Sequence, residues 1–256
     1  MLSDLTAGAL ADAAARRELV SFAEVEAAAL AQSPALNALE FLAPADHIKV
    51  IAEVKRASPS RGDLAAIADP AALARTYAAN GASTISVLTE GRKFKGTLED
   101  LRAVRAEVSV PVLRKDFIAE KYQILEARAA GADLVLLIVA ALEQDLLAEL
   151  NEFALSLGLT VLVETHSREE LHRALDIDAK LIGVNARNLS TFELDRELFA
   201  SLVGEIPAGV IKVAESAVRN AKDVQHYRDA GADVVLVGEA LVTSDPAATL
   251  QSFLAV

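Results

Sequence analysis

Eight short apolar runs, separated by longer amphipathic stretches, constrain the fold of this chain more than any other feature. They are VIAEVK (50–55), TISVLTE (84–90), PVLRKDF (111–117), ADLVLLIVA (132–140), TVLVETH (160–166), LIGVNA (181–186), IKVAES (211–216) and VVLVGE (234–239). Their starts lie roughly 20 to 35 residues apart, the length of one strand plus one helix. The runs are apolar on both faces, which predicts a parallel sheet covered by helices on both sides. The intervening stretches carry helix punctuation. Asp69-Pro70 and Asp245-Pro246 pair a cap with proline in the first turn, and Ser167 with Glu170 reads as a capping box. Gly81, Gly131 and Gly231 stand where a helix stops before the next strand. AAGADLVLL (129–137) and DAGADVVLV (229–237) are near copies, the mark of a repeated αβ unit.

Eight such units in about 205 residues predict an α/β fold closed as a (β/α)8 TIM barrel. An open doubly wound sheet is the competing architecture, but no GxGxxG follows the first run. Residues 1 to about 45 read as helical, broken at Ser33-Pro34 and ended by Pro44. We expect them to form an N-terminal helical extension packed across one end of the barrel, with residues 1–256 as a single domain.

Charge and composition exclude several functions. The net charge of −12 leaves no bulk basic face for nucleic acid or anionic membrane. The longest uncharged apolar run, LVLLIVAAL, has nine residues (134–142), against roughly 20 for a spanning helix. The N-terminus lacks a basic segment followed by an apolar one, so no secretory signal is expected. With no cysteine there is neither disulfide nor thiolate chemistry. The expectation is a soluble, cytoplasmic monomer without nucleic-acid or membrane partners. His47, His172 and His226 read as surface or helix positions, and Glu164 and His166 are two apart without an HExxH. No metal site is expected.

Barrels of this kind build their sites from the C-terminal strand ends. Read in order, those ends offer Glu53 and Lys55, Thr89 and Glu90, Lys115 and Asp116, Glu164, Asn185 with Arg187, Glu215 with Ser216, and Gly238. The fourth run contributes only apolar groups, Leu136 and Ile138. Polar groups in core strands are costly unless paired or used, so ionisable residues gathered at one end predict a functional site. Glu53 and Lys55 point the same way on a strand and can pair. Lys115 reads equally as a Schiff-base lysine, a general acid or an anion clamp. Glu164 suits a general base and Arg187 an anion-binding fork. Small residues in AESAV (214–218) and LVGEAL (236–241), with a short helix starting near Gly238, suit a phosphate.

Seven strings occur in order at these strand ends: AEVKRASPS, SVLTE…FKG, VLRKDFI, VLVETH, GVNARNL, VAES and LVGEAL. Over residues 1 to about 254 the chain resembles the indole-3-glycerol phosphate synthase family of tryptophan biosynthesis. That resemblance implies a cofactor-free and metal-free enzyme. Its small phosphorylated anthranilate-ribulose substrate is 1-(2-carboxyphenylamino)-1-deoxyribulose 5-phosphate, converted to indole-3-glycerol phosphate, carbon dioxide and water. It further implies Lys115 as general acid at the C2′ oxygen and Glu164 as acid/base in the dehydration. Lys55 would hold the substrate's carboxylate or phosphate, and Glu53 would orient both lysines. Asn185 would position the ring-nitrogen region and Glu215 a hydroxyl. Ser58, Arg187, Ser216 and Gly238 would bind phosphate. Phe94 would pack on the anthranilate ring, with Phe117, Leu136 and Ile138 as the apolar wall. Three positions depart from the family's usual pattern: Ala217 where Gly is common, Glu239 where Ser is common, and Ala186 between Asn185 and Arg187. A lysine-dependent aldolase, a phosphosugar isomerase and a non-catalytic binding barrel are the competing functions.

Overall fold

The structure is a computed structural model that describes residues 1–188, 191 and 193–256. Leu189, the last residue of the GVNARNL string, lies outside that set. Eight parallel strands close into a barrel in chain order, the eighth pairing with the first. They are β1 (Lys49–Val54), β2 (Thr84–Leu88), β3 (Val112–Lys115), β4 (Leu134–Ile138), β5 (Thr160–Thr165), β6 (Leu181–Asn185), β7 (Ile211–Glu215) and β8 (Val234–Val237). All eight end one or two residues before the predicted boundary, and β1 also begins a residue early. The reason is visible after β2. There the Glu90 carboxylate accepts hydrogen bonds from the backbone N–H groups of Arg92, Lys93 and Phe94 at 2.7 to 2.9 Å, so it organises a loop instead of extending a ladder.

Helices follow the strands: α4 (Pro70–Ala79) after β1, then α5 (Leu98–Glu107), α6 (Lys121–Ala129), α7 (Gln144–Ser156), α8 (Arg168–Asp176), α9 (Leu198–Leu202) and α10 (Ala221–Asp229), with α11 (Glu239–Val242) and α12 (Pro246–Leu254) after β8. They are numbered after three N-terminal helices, α1 (Leu2–Arg17), α2 (Phe22–Leu30) and α3 (Ala38–Leu42). Asp69 and Asp245 cap α4 and α12 as their sequence context predicts. Ser167 accepts from the Glu170 N–H at 3.2 Å, but the predicted capping box is only half made. Glu170 reaches past Ser167 to the backbone N–H and ring of His166 instead.

Side-chain alternation sorts the strands into two environments. Val50, Ala52 and Val54 of β1, like Val135 and Leu137 of β4, face outward into the large core beneath the helices. Ile51, Leu113, Leu134, Leu162, Leu181, Val213 and Val234 fill the barrel interior. The polar positions of the same parity, Glu53, Lys115, Glu164, Asn185 and Glu215, come at or near the strands' C-terminal ends. The register sets them level, with Glu164 opposite Ile138 and Gly183, and Glu215 opposite Asn185 and Leu236.

The N-terminal extension was expected across one end of the barrel but serves both. Leu5 of α1 lines the cavity at the mouth, and Asp12 holds Arg92 of the β2–α5 loop in an ion pair at 2.7 Å. At the opposite end Ala38 and Leu42 of α3 are fully buried against the interior residues, and the Leu36 N–H binds Asp133, just before β4, at 2.8 Å. Apolar side chains appear at both ends of the extension, which one amphipathic helix cannot supply. The expected break at Ser33-Pro34 falls between α2 and α3, and a further break at Val20-Ser21, where Ser21 and Glu24 form a full capping box, lets the chain turn.

Candidate active site

Lys115 ends β3 inside the barrel, with its ammonium 3.1 Å from Glu164 Oε2 and 3.3 Å from Glu215 Oε2. Both carboxylates are nearly inaccessible to solvent. Burial works against the lysine's charge, but Glu164, Glu215 and the more distant Glu53 outweigh it and raise its pKa. Lys115 is therefore an ammonium. Burial likewise opposes ionisation of Glu164, yet Lys115 and His166 hold its carboxyl well below the usual range. Burial and the adjacent charge of Glu164 push Glu215 up to about 8. One cation thus stands between a carboxylate held ionised and one pushed toward its protonated form, the separation expected of an acid/base pair.

Asn185, at the end of β6, joins three of the predicted site residues. Its amide donates to Glu164 Oε1 at 3.1 Å, and its Oδ1 accepts from Ser216 Oγ at 2.8 Å and from the Arg187 N–H at 3.0 Å. The Ser216 hydroxyl proton is thereby committed to Asn185. Ser216 and Ala217 are consecutive left-handed residues, with φ of 68° and 59°, so the departure from Gly at 217 does fall on a strained position.

Lys55 pairs with Glu53 at 2.9 Å, as their spacing predicts. Gly238 belongs to this pair as much as to any ligand. A Cβ there would stand 2.5 Å from Glu53 Oε1, so glycine makes room for the carboxylate. Gly183 does the same for Glu215, whose Oε1 would lie 2.1 Å from an added Cβ.

The remaining residues line a cavity of about 720 Å³ above these groups. One side is apolar. Phe117, Leu136 and Ile138 are buried there, and the Phe94 ring lies 6.0 Å from that of Phe117. The other side is cationic. Arg187, Arg61 and Arg219 gather near Glu239. Burial lowers the Arg187 pKa, Glu239 counteracts this, and the two neighbouring guanidiniums add to it. Arg61 binds Glu239 at 2.6 Å, which explains how a carboxylate is tolerated at that position. Ser58 is buried beside them, and its hydroxyl makes no hydrogen bond among the described residues.

Two of the polar strand ends are not part of the cavity's chemistry. Thr89 donates to Asp116 at 2.6 Å, and both bind Arg114, which is fully buried and faces α6. Arg114 was missed because it adjoins Lys115 in an apolar run, although alternation alone sends it to the opposite face. It continues through Gln123 O at 2.6 Å and Glu126 at 3.4 Å, and Glu126 in turn pairs with Arg16 of α1. This network braces β3 behind Lys115. His166, also passed over, lies directly against Glu164.

The family model described as "Indole-3-glycerol phosphate synthase" matches residues 2–253. A protein of that name from Leifsonia xyli subsp. xyli is 68% identical over 253 residues, covering 99% of this chain and 97% of the relative. Another from Mycolicibacterium gilvum is 60% identical over 247 residues, covering 96% and 90%. Among solved structures, thiamine phosphate pyrophosphorylase from Pyrococcus furiosus aligns with a TM-score of 0.61 at 15% identity, over 80% of this chain and 93% of that one. N-acetylmannosamine-6-phosphate 2-epimerase from Clostridium perfringens gives 0.61 at 13%, over 83% and 94%. At such identities these two speak to the barrel fold alone.

Proposed function

The chain belongs to the indole-3-glycerol phosphate synthase family, carboxy-lyases of tryptophan biosynthesis, and from that premise we propose how its barrel mouth performs the decarboxylative ring closure. The observation that carries the proposal is Lys115 held between Glu164 and Glu215 beside an apolar wall. The substrate's anthranilate ring lies against Phe94, Phe117, Leu136 and Ile138. Its phosphate takes the opposite pole, where Arg187, the Ser58 hydroxyl and the backbone around Ser216 and Gly238 receive it. Lys55, oriented by Glu53, pairs with the anthranilate carboxylate.

The ring carbon bearing that carboxylate attacks C2′ of the ribulose. Lys115 donates a proton to the C2′ oxygen as it becomes a hydroxyl. The carbon–carbon bond to the carboxylate then breaks, and its electron pair restores the aromatic ring as carbon dioxide leaves. In the dehydration Glu164 accepts a proton from C1′ and returns it to the C2′ hydroxyl, which leaves as water. Asn185 holds Glu164 in place, and Glu215 contacts a substrate hydroxyl. The ion pairs around Lys115 favour an ammonium that donates a proton over the free amine that a Schiff-base aldolase requires.

We further propose that the protein acts as a single-domain monomer in the cytoplasm, without a nucleic-acid partner, in keeping with its net charge of −12. No helix among the described residues is long and apolar enough to cross a membrane. Incubation with 1-(2-carboxyphenylamino)-1-deoxyribulose 5-phosphate, followed by indole fluorescence, tests the activity. Absence of product at micromolar enzyme would overturn it.

A further inference from the structure

We propose that His166 is a positioning residue for the acid/base Glu164, an imidazolium clamped between Glu164 and Glu170 that fixes one carboxylate oxygen and leaves the other to Lys115 and the substrate. The inference rests on the role given to Glu164 above. His166 stands two residues after Glu164, at the point where β5 leaves the barrel. Its Nε2 lies 3.1 Å from Glu164 Oε1 and its Nδ1 lies 3.1 Å from Glu170 Oε2. Nδ1 is hydrogen-bonded to Glu170, while Nε2 stands within ion-pair distance of Glu164 without the alignment of a hydrogen bond; a carboxylate beside each nitrogen favours the imidazolium. The other three histidines have side chains 43 to 57% exposed; that of His166 is 9% exposed.

The groups around the pair divide the work. Oε1 of Glu164 accepts from Asn185 of β6 and lies within ion-pair distance of His166, while Oε2 faces Lys115 from β3. Glu215 from β7 is the remaining titratable neighbour of Glu164. On the far side Glu170 of α8 anchors the imidazole and also accepts the His166 backbone N–H at 2.8 Å, fixing ring and backbone together. Burial alone would favour neutral His166, but the two carboxylates raise its pKa to about 10. When Glu164 takes up a proton, His166 keeps Glu170 as counterion.

Steady-state kinetics of His166→Gln and Glu170→Gln against pH test this, alongside ¹⁵N spectra of the wild-type imidazoles at pH 8. The surface variants His47→Gln, His172→Gln and His226→Gln assign the other three signals. We expect H166Q to lower kcat about tenfold with little change in KM, and to move the acidic limb of kcat/KM upward by about one pH unit. E170Q should give a smaller shift in the same direction, and the wild-type His166 signal should be that of an imidazolium. An unchanged kcat and acidic limb in H166Q, or a neutral imidazole at pH 8, overturns the proposal; the spectrum decides if H166Q does not fold. If Glu164→Gln is inactive while H166Q is unaltered, only this inference fails. If E164Q retains turnover, the role of Glu164 fails and this inference falls with it.

Discussion

Gly238 and Glu53 occupy one space: a Cβ on Gly238 would stand 2.5 Å from the Glu53 carboxylate. The glycine at the end of β8 is thus a condition for the Glu53–Lys55 pair on β1. Gly238→Ala is expected to displace the carboxylate and cut kcat/KM at least about tenfold. Paired with Glu53→Ala in a double-mutant cycle, the two losses should fall well short of additive. Additive losses would place the role of Gly238 elsewhere.

Lys115→Ala and Glu164→Gln are expected to lower kcat by about 10² to 10⁴, the range for loss of a positioned acid or base. Neither should unfold the chain, because the barrel core is built by other residues. Thermal melts measured beside the kinetics separate the two effects. Retention of most activity by either variant would show that its assigned role is wrong.

The cationic pole contains a carboxylate that its own arginine restrains, since Arg61 binds Glu239 at 2.6 Å. Arg61→Ala leaves that charge facing the substrate's phosphate. KM should rise about tenfold, with kcat much less affected. Adding Glu239→Ser should restore KM; if it does not, Arg61 contacts phosphate directly.

Stability should fall as pH rises through the alkaline range. His166 has its folded pKa raised to about 10, so its contribution is complete below its unfolded value of 6.5 and lost as pH rises through 10. Glu215, raised to about 8, acts in the same sense between 4.5 and 8. The folded state binds more protons than the unfolded one in both windows. Urea midpoints at pH 6, 8 and 10 should decline, and less steeply in H166Q than in the wild type.

Ala217 holds a left-handed φ of 59° directly after Ser216 at 68°. Ala217→Gly should stabilise the protein by about 0.5–1 kcal/mol, since glycine adopts this conformation without the Cβ clash. An unchanged or lower urea midpoint would mean that the neighbouring contacts already relieve the strain.

Much of this molecule is legible along the chain. Strand number, helix caps and the polar rim follow from short-range patterns, because a strand's period of two and a helix's 3.6 act within a few residues. Alternation within β1, for example, is enough to set Glu53 and Lys55 on one face. It could also have set Arg114 apart from Lys115. The split of the N-terminal segment between both barrel ends was harder to read, since nothing local says which end an apolar helix face will meet.

Barrel closure decided the rest. Lys115 meets Glu164 and Glu215 across 49 and 100 residues of sequence, and Arg61 meets Glu239 across 178. Which carboxylate stays ionised, why Gly183 and Gly238 must be glycine, and what His166 does all depend on those encounters. The sequence determined which chemical groups stand at the strand ends. Only the tertiary structure determined their charge states and partners, because burial and Coulomb interactions depend on distance through space, which local periodicity does not encode.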